Sequence, residues 1–327
     1  MRTFNWGIIG LGRIAHKFAE NLALLPNARL YGVASRTQAK ADEFATQFGA
    51  AHACGSYEEL LQLPDLDAVY IATPHSEHHA NTLLCLRAGV PVLCEKAFAL
   101  NARQAAEMIA TAREQKVFLM EAFWTRFFPA VKEALKIVQS GELGEIKHIV
   151  ADFGFKAPYN PEGRLYNPAL AGGSLLDIGV YPLFISKLLL GNPTEVKAVA
   201  TFAPSGVDAN CAISFAYTSG ATASLFSTIA AQTDTTCHIY GTEASLRLNG
   251  RFHAPEGLTV YREGEEPRVI NCEKLGYGYA YEAHHVQECL EQDLLESPLL
   301  PLGFSLELMQ LLDQIRAQIG LRYPGEG

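Results

Sequence analysis

A lysine and a tyrosine in this sequence stand where proton transfer could take place. Lys96 follows the apolar run Val90–Cys94 and Glu95, and its ammonium could bind a substrate hydroxyl, with a pKa that burial and nearby charge would lower. Tyr181 lies four residues after Asp177, so both share one face of a predicted helix. A tyrosine can exchange a proton with an alcohol when a cation lowers its pKa. The plainer alternatives are a surface lysine and a buried, hydrogen-bonded Tyr–Asp pair.

A glycine-rich turn near the start of the chain indicates a dinucleotide site. The run Gly-Leu-Gly-Arg-Ile-Ala begins at Gly10, after an apolar strand and before an amphipathic helix. In this pattern Gly10 permits the tight turn, Gly12 lets the backbone approach a pyrophosphate, and Ala15 packs closely on the strand. The helix N-terminus offers free N–H groups to the phosphates. Arg13 and Ile14, which begin this helix, are therefore also expected to bind the cofactor.

The residues after the second predicted strand discriminate between the two nicotinamide dinucleotides. About 20 residues after the glycines, a carboxylate would bind the ribose 2′-OH. The chain has Ser35 and Arg36 there instead. A hydroxyl and a guanidinium favour a 2′-phosphate, because arginine binds phosphate bidentately. The sequence therefore predicts NADP, with Arg13 and Arg36 supplying local positive charge in a chain of net charge −9.

Two further strand ends are expected to border the cofactor. The run Ala-Thr-Pro-His-Ser-Glu-His-His ends at His79, and it is predicted to line the nicotinamide ribose through Thr73, Pro74, His75 and His78. A metal would need a further ligand that this segment does not offer, so no metal is predicted. Solvated histidines on a first helical turn are the plainer interpretation. At the next strand end, Glu95 and Lys96 are expected beside the cofactor.

An aromatic run follows near residue 121. Trp124, Phe127 and Phe128 could wall a substrate pocket, and Arg126 could face the cofactor. Such a stripe is also typical of a plain hydrophobic core.

Composition describes a globular protein with room for two domains. The chain has 327 residues, 49% hydrophobic and 19% charged, which are ordinary values. Its net charge of −9 argues against nucleic acid or an anionic membrane as a partner. The seven cysteines contain no C-x-x-C pair, which is typical of buried, reduced thiols. With no room for a signal peptide and no apolar run of membrane-spanning length, we expect a cytoplasmic protein.

The predicted elements change character near residue 121. Before it, strands and helices alternate, which predicts a doubly wound parallel Rossmann sheet with ligands at the carboxyl ends of its strands. After it come a helix, a long loop, a second helix, a mostly antiparallel sheet and two closing helices. We therefore predict an α/β protein with an NADP-binding domain over 1–121 and an α+β substrate-binding and dimerisation domain over 122–327.

One face of the second sheet is expected to be exposed. Between Cys211 and Tyr217 larger apolar residues alternate with small, weakly polar ones, so both faces avoid strong hydration. A large face of this kind usually marks an interface, and a two-fold pair is the commonest arrangement. The sequence predicts a homodimer formed sheet to sheet, or a tetramer of two such pairs. The alternative is that the closing helices cover this face.

Taken together, these segments resemble the glucose–fructose oxidoreductase and inositol dehydrogenase (Gfo/Idh/MocA) family. The stretches 118–130, 172–181 and 319–324 are similar to its dimeric dihydrodiol dehydrogenase branch, which includes NADP-dependent D-xylose 1-dehydrogenases. The resemblance covers essentially the whole chain. It implies hydride transfer between NADP and a secondary alcohol or hemiacetal carbon of a small sugar, polyol or trans-dihydrodiol.

The resemblance also implies roles for particular residues. Lys96 and Tyr181 would be catalytic with Asp177 alongside, and Trp124 and Phe153 would lie near the substrate. Either Tyr181 or Lys96 could be the acid/base. The family's usual Glu-Lys-Pro is Glu-Lys-Ala here, and Tyr181 stands where the broader family more often has histidine. A non-catalytic NADP-binding sensor or scaffold of the same fold is the alternative function.

Overall fold

The alternating first part of the chain forms a parallel sheet. The computed structural model describes residues 2–324 and 326. The strands are Phe4–Ile9 (β1), Ala28–Ala34 (β2), His52–Cys54 (β3), Ala68–Ile71 (β4), Val92–Glu95 (β5) and Leu119–Ala122 (β6). They pair in the order β3-β2-β1-β4-β5-β6, and every pair is parallel. The order changes direction at β1, the point where such sheets bind ligands.

Helices cross between these strands, and side-chain caps define where two of them begin. The helices are Arg13–Leu22 (α1), Gln38–Phe48 (α2), Tyr57–Leu61 (α3), His75–Arg87 (α4) and Ala102–Gln115 (α5). Ser56 accepts a hydrogen bond from the Glu59 amide at 3.2 Å, and Asn101 accepts one from the Gln104 amide at 2.9 Å. These bonds satisfy orphan N–H groups of the first turn.

The remainder of the chain supplies a second, mostly antiparallel sheet. Its strands are Ile146–Gly154 (β7), Glu195–Phe202 (β8), Asp208–Ala216 (β9), Thr222–Thr228 (β10), Cys237–Gly241 (β11), Ser245–Leu248 (β12), Gly257–Tyr261 (β13) and Arg268–Asn271 (β14). They pair in the order β14-β13-β12-β11-β7-β10-β9-β8. The β7–β10 pair is parallel and the other pairs are antiparallel. The predicted fold class is confirmed; the short strands β3 and β14 were not predicted.

Four further helices complete the fold, and one of them builds the core of the second sheet. They are Pro129–Gln139 (α6), Val180–Leu190 (α7), Tyr279–Glu291 (α8) and Leu302–Ile319 (α9). The alternation on β9 holds, because Cys211, Ile213 and Phe215 are buried while Ala212 and Ser214 are exposed. Helix α7 packs against β7 and β10 within the same unit. It buries the apolar face and leaves the face of small residues outward.

The chain divides into two compact units. The first comprises Met1–Trp124 and Leu275–Leu306, and the second comprises Thr125–Lys274 and Glu307–Gly327. The predicted division into 1–121 and 122–327 therefore lacks the return of the chain to the first unit. Hydrogen bonds hold this return: the Leu119 amide donates to the Leu295 carbonyl at 3.2 Å, and Asn21 accepts from two amides of the returning segment.

One segment corrects an expectation from the sequence. Pro168–Leu190 is long and apolar enough to cross a membrane by length and composition alone, so the expectation that no run reaches this length was wrong. Of its most apolar window, 83% is buried inside the protein, as in a core helix. The seven cysteines are free thiols, and all but Cys272 are buried.

Candidate active site

The glycine turn has the shape that a pyrophosphate needs. Gly10 has φ +87°, and a Cβ there would lie 2.7 Å from the Thr73 amide nitrogen, so only glycine fits. A Cβ at Gly12 would meet no described atom within 4 Å. The first turn of α1 holds no acidic residue and, among the described residues, no side-chain cap, and Arg13 is exposed. The turn therefore fits a dinucleotide, with N–H groups left for its phosphates.

Ser35 and Arg36 lie directly after β2, as predicted. Ser35 is buried and its amide donates to the Cys54 carbonyl at 3.2 Å, which fixes the backbone at the strand end. Arg36 is exposed, and its charge acts on Tyr57 at the start of α3. Since the backbone before it is fixed and the side chain is exposed, the Arg36 guanidinium remains accessible to an anion.

The histidines of the segment that ends at His79 are mostly buried, and His78 lies between two backbone carbonyl groups. His75 and His78 are 6% and 0% exposed, so the interpretation as solvated histidines is wrong for both. The ring nitrogens of His78 lie 2.9 Å from the carbonyl oxygens of Ala97 and Thr73. Burial lowers the pKa of His78 to about 4, so the ring is neutral at pH 7. In residues 2–324 and 326 no group of three His, Cys, Asp or Glu is arranged to hold a metal.

The backbone of Lys96 is fixed by the residue before it. Glu95 is 7% exposed. Its carboxylate accepts a hydrogen bond from the Tyr70 hydroxyl at 2.5 Å and another from the Lys96 amide at 3.1 Å. The Lys96–Ala97 peptide bond is cis. Glu95, predicted beside the cofactor, therefore directs both carboxylate oxygens to groups of the protein.

Two more carboxyl groups near this strand end were missed from the sequence. Glu121 on β6 and Glu282 on α8 are 1% and 0% exposed. Burial raises the pKa of Glu121 to about 7, while the Ser305 hydroxyl, the Phe98 backbone and the Lys96 charge oppose that rise. Burial and the charge of Glu95 raise the pKa of Glu282 well above its usual range. A charged residue inside the apolar strand Leu119–Ala122 was the available clue.

The aromatic run near residue 121 divides between the two units. Trp124 belongs to the first unit, where it stacks on Tyr279 of the returning segment, with ring centroids 4.4 Å apart and planes at 2°. Phe127 and Phe128 are 1% and 0% exposed, as the core interpretation expects. Arg126 is half-buried in the second unit, and burial lowers the pKa of its guanidinium.

Tyr181 lies in an aromatic cluster of the second unit. The rings of Phe153 and His253 stack at 4.3 Å, and the Tyr181 ring centroid is 5.5 Å from Phe153 and 5.3 Å from His253. The Arg251 guanidinium lies 5.2 Å from the centroid of the Phe153 ring. Phe153, which was predicted to lie near the substrate, therefore lies beside Tyr181. His253 and Arg251 were missed, because a loop between two short strands carries no periodic pattern.

Asp177 is paired with an arginine that the sequence analysis did not single out. Arg164 donates to both of its carboxylate oxygens, at 2.8 and 3.2 Å. Asp177 is 7% exposed. It lies on a π-helical turn, Leu175–Gly179, that runs directly into α7. The charge of Asp177, four residues before Tyr181, is therefore offset by the bidentate guanidinium of Arg164.

Family profiles cover most of this chain. An oxidoreductase family with an NAD-binding Rossmann fold, GFO/IDH/MocA, matches residues 4–123. The GFO/IDH/MocA C-terminal domain matches residues 131–247. The chain belongs to the GFO/IDH/MocA oxidoreductase family, and the predicted resemblance is confirmed.

Similar proteins extend over nearly the full length. Trans-1,2-dihydrobenzene-1,2-diol dehydrogenase of Mus musculus is 38% identical, with 98% of each chain covered. Aldose-aldose oxidoreductase from Caulobacter crescentus, solved with glycerol, is 26% identical with TM-score 0.88 and covers 97% of each chain. A 3-ketoreductase from Actinomadura kijaniata, solved with NADP, is 27% identical with TM-score 0.84, covering 97% of this chain and 98% of its own. The first unit is accordingly an NAD(P)-binding domain of an oxidoreductase.

The burial of Glu121 predicts a pH-dependent stability. Its folded pKa of about 7 lies above the ordinary 4.5, so the folded state holds a proton that the unfolded chain releases. The wild type should therefore lose stability, on the order of 3 kcal/mol, as pH rises from 4.5 to 7. Glu121→Gln should remove the share of the loss that Glu121 causes and leave the share of other buried carboxyl groups such as Glu282. Urea unfolding at pH 5 and 8 measures it, with the exposed Glu266→Gln as control; equal pH dependence in Glu121→Gln and wild type would contradict it.

Proposed function

We propose that this protein is an NADP-dependent dehydrogenase that transfers a hydride between the nicotinamide and a secondary alcohol or hemiacetal carbon of a small sugar, polyol or trans-dihydrodiol. The observation that carries the proposal is Tyr181 beside the stacked Phe153 and His253. Aromatic faces suit the C–H surface of a sugar or a cyclic diol, and the phenol supplies a proton-transfer group. The names of the mouse and Caulobacter relatives support these substrate classes.

In this proposal the chain's own residues handle the alcohol proton. Bound NADP supplies the hydride acceptor or donor. Tyr181 takes or returns the proton, and Lys96 lowers the phenol pKa and orients the substrate hydroxyl. The rival assignment makes Lys96 itself the acid/base. We further propose that the enzyme works in the cytoplasm, where its seven free thiols stay reduced.

A substrate panel tests the proposed function against its alternative. The purified protein is assayed with NADP⁺ and D-xylose, D-glucose, other aldoses, inositols and trans-dihydrodiols, and NADPH formation is followed by absorbance. We expect turnover with at least one of these classes. Tight NADP binding without turnover across the panel would contradict the proposal and favour a cofactor-binding sensor or scaffold, since fold alone does not fix activity.

The acid/base assignment predicts different pH–rate profiles for two variants. Tyr181→Phe should lower kcat by roughly 10²–10⁴-fold, the usual contribution of general acid–base catalysis, and should remove the limb that reports the phenol. Lys96→Met should shift that limb to higher pH, because the cation that lowers the phenol pKa is gone. Lys96→Arg, which keeps a cation, should shift it less. Near-normal turnover in Tyr181→Phe would contradict the assignment and favour Lys96 as the acid/base.

The exposed guanidinium after β2 predicts the cofactor preference. Arg36→Ala should weaken NADP binding by roughly tenfold or more and leave NAD binding nearly unchanged, because only NADP carries the 2′-phosphate. Fluorescence titration with each dinucleotide measures both constants. Arg103→Ala, which removes an exposed arginine from α5, is the matched control. Equal losses of NADP and NAD affinity in Arg36→Ala would exclude the 2′-phosphate role.

The outer face of the eight-stranded sheet supports a homodimer. A groove of about 560 Å³ opens on this face; most of its lining residues are small or apolar, and Asp152, Lys197 and Gln318 are the polar exceptions. Val199 is 71% exposed there, directly opposite Ala212 in the strand register. Small side chains let two sheets approach closely, and apolar area without a partner favours association. We propose that two copies pair through this face about a two-fold axis.

A charge on this face should separate the two copies. Light scattering of the wild type at micromolar concentration should give twice the chain mass of 35.7 kDa. Val199→Glu should shift it toward the monomer, because a carboxylate in an apolar interface is costly. Leu24→Glu, at another exposed apolar residue but in the first unit, should leave the mass unchanged. A wild-type monomer at this concentration would contradict the proposal.

A further inference from the structure

Tyr323, near the C-terminus, is buried and its hydroxyl binds a backbone carbonyl group far away in the sequence. Tyr323 is 4% exposed, and its hydroxyl donates a hydrogen bond to the carbonyl oxygen of Gly172 at 2.7 Å. Burial raises the pKa of this phenol well above its usual range, so it remains neutral and can donate. The partner lies 151 residues away, at the start of the segment that carries Asp177 and Tyr181.

Charged groups near the C-terminus hold Tyr323 in place. The Arg316 guanidinium is 5% exposed. It binds both oxygens of Glu326 at 2.7 Å and Asp313 at 2.6 Å, and it lies 5.3 Å from the centroid of the Tyr323 ring. The Tyr323 amide donates to Glu326 at 2.8 Å. A buried network of this kind leaves the phenol little freedom to move.

The target of Tyr323 is itself confined. A Cβ at Gly172 would lie 2.7 Å from the Leu165 carbonyl oxygen, so a side chain cannot enter there. The next residue, Gly173, has φ +114° and faces the Asp208 carboxylate. Asp208 is fully buried and accepts from the Ser174 hydroxyl and the Leu175 amide, both at 2.7 Å. The backbone just before the π-helical turn is therefore bound from more than one side.

We infer that Tyr323 is a positioning residue: through the Gly172 carbonyl it fixes the start of the segment 172–181 and so the places of Asp177 and Tyr181. The inference rests on the proposed function, since it identifies what holds the proposed acid/base. Between Gly172 and Tyr181 the backbone passes through a buried π-helical turn and into α7. Helical backbone transmits a displacement at its start along its axis, and a misplacement of about 1 Å can cost a hundredfold in rate.

Tyr323→Phe removes only the hydroxyl, and Tyr217→Phe is its matched control. Tyr217 is also a buried tyrosine of the second unit, and its hydroxyl binds the Ser186 hydroxyl of α7 at 2.7 Å, beyond Tyr181 in the chain. Both variants lose one buried hydrogen bond, Tyr323→Phe at Gly172 before the π-helical turn and Tyr217→Phe at Ser186 on α7. Only Tyr323→Phe should lower kcat, by roughly tenfold, with the KM for NADP unchanged. It should also speed amide hydrogen exchange at residues 172–181 more than Tyr217→Phe does.

The two measurements separate failure of this inference from failure of the proposed function. Unchanged exchange at 172–181 in Tyr323→Phe overturns the inference, and so does faster exchange with normal kcat. Equal losses of kcat in both tyrosine variants also overturn it, because they indicate general destabilisation. If the wild type turns over no substrate of the panel, the proposed function fails; exchange alone then decides whether Tyr323 anchors the segment.

Discussion

The carboxylate of Glu95 holds together the backbone at the carboxyl end of β5 in the first unit. It accepts hydrogen bonds from Tyr70 on the neighbouring strand and from the Lys96 amide. A buried carboxylate without such partners is costly, so breaking either hydrogen bond would destabilise the folded state. His78 bridges the backbone on the other side of Lys96, at Ala97. Buried groups, and not an exposed loop, therefore set the position of the Lys96 backbone.

The second unit positions Tyr181 by a different route. Tyr181 lies one residue into a regular helix, α7, whose approach is a π-helical turn. Asp208 accepts from the Leu175 amide, one of the N–H groups that a helix start leaves without a partner. The Tyr323 hydroxyl donates to the Gly172 carbonyl oxygen, ahead of the turn. The first unit thus positions its lysine by strand ends and the second positions its tyrosine by the start of a helix. In both, buried side chains bind main-chain atoms of the segment that carries the group.

The sequence predicted best what local forces decide. Strands and helices alternate before residue 121 as predicted, since the periodicity that indicates each element is local. The fold class followed from the alternation of elements. The return of Leu275–Leu306 to the first unit was not predictable, because periodicity does not say which partner a helix packs on. Long-range bonds such as Tyr323 to Gly172 lie outside any local pattern for the same reason.

The Arg164–Asp177 pair shows why residue types alone left the site open. A carboxylate close to a phenol disfavours the phenolate and would raise its pKa, which opposes a tyrosine acting as a base near pH 7. The bidentate guanidinium of Arg164 offsets that charge. The carboxylate of Asp177 is therefore bound by a cation of the same unit. The i, i+4 spacing related Asp177 to Tyr181, and the structure adds Arg164, which binds both oxygens of that carboxylate.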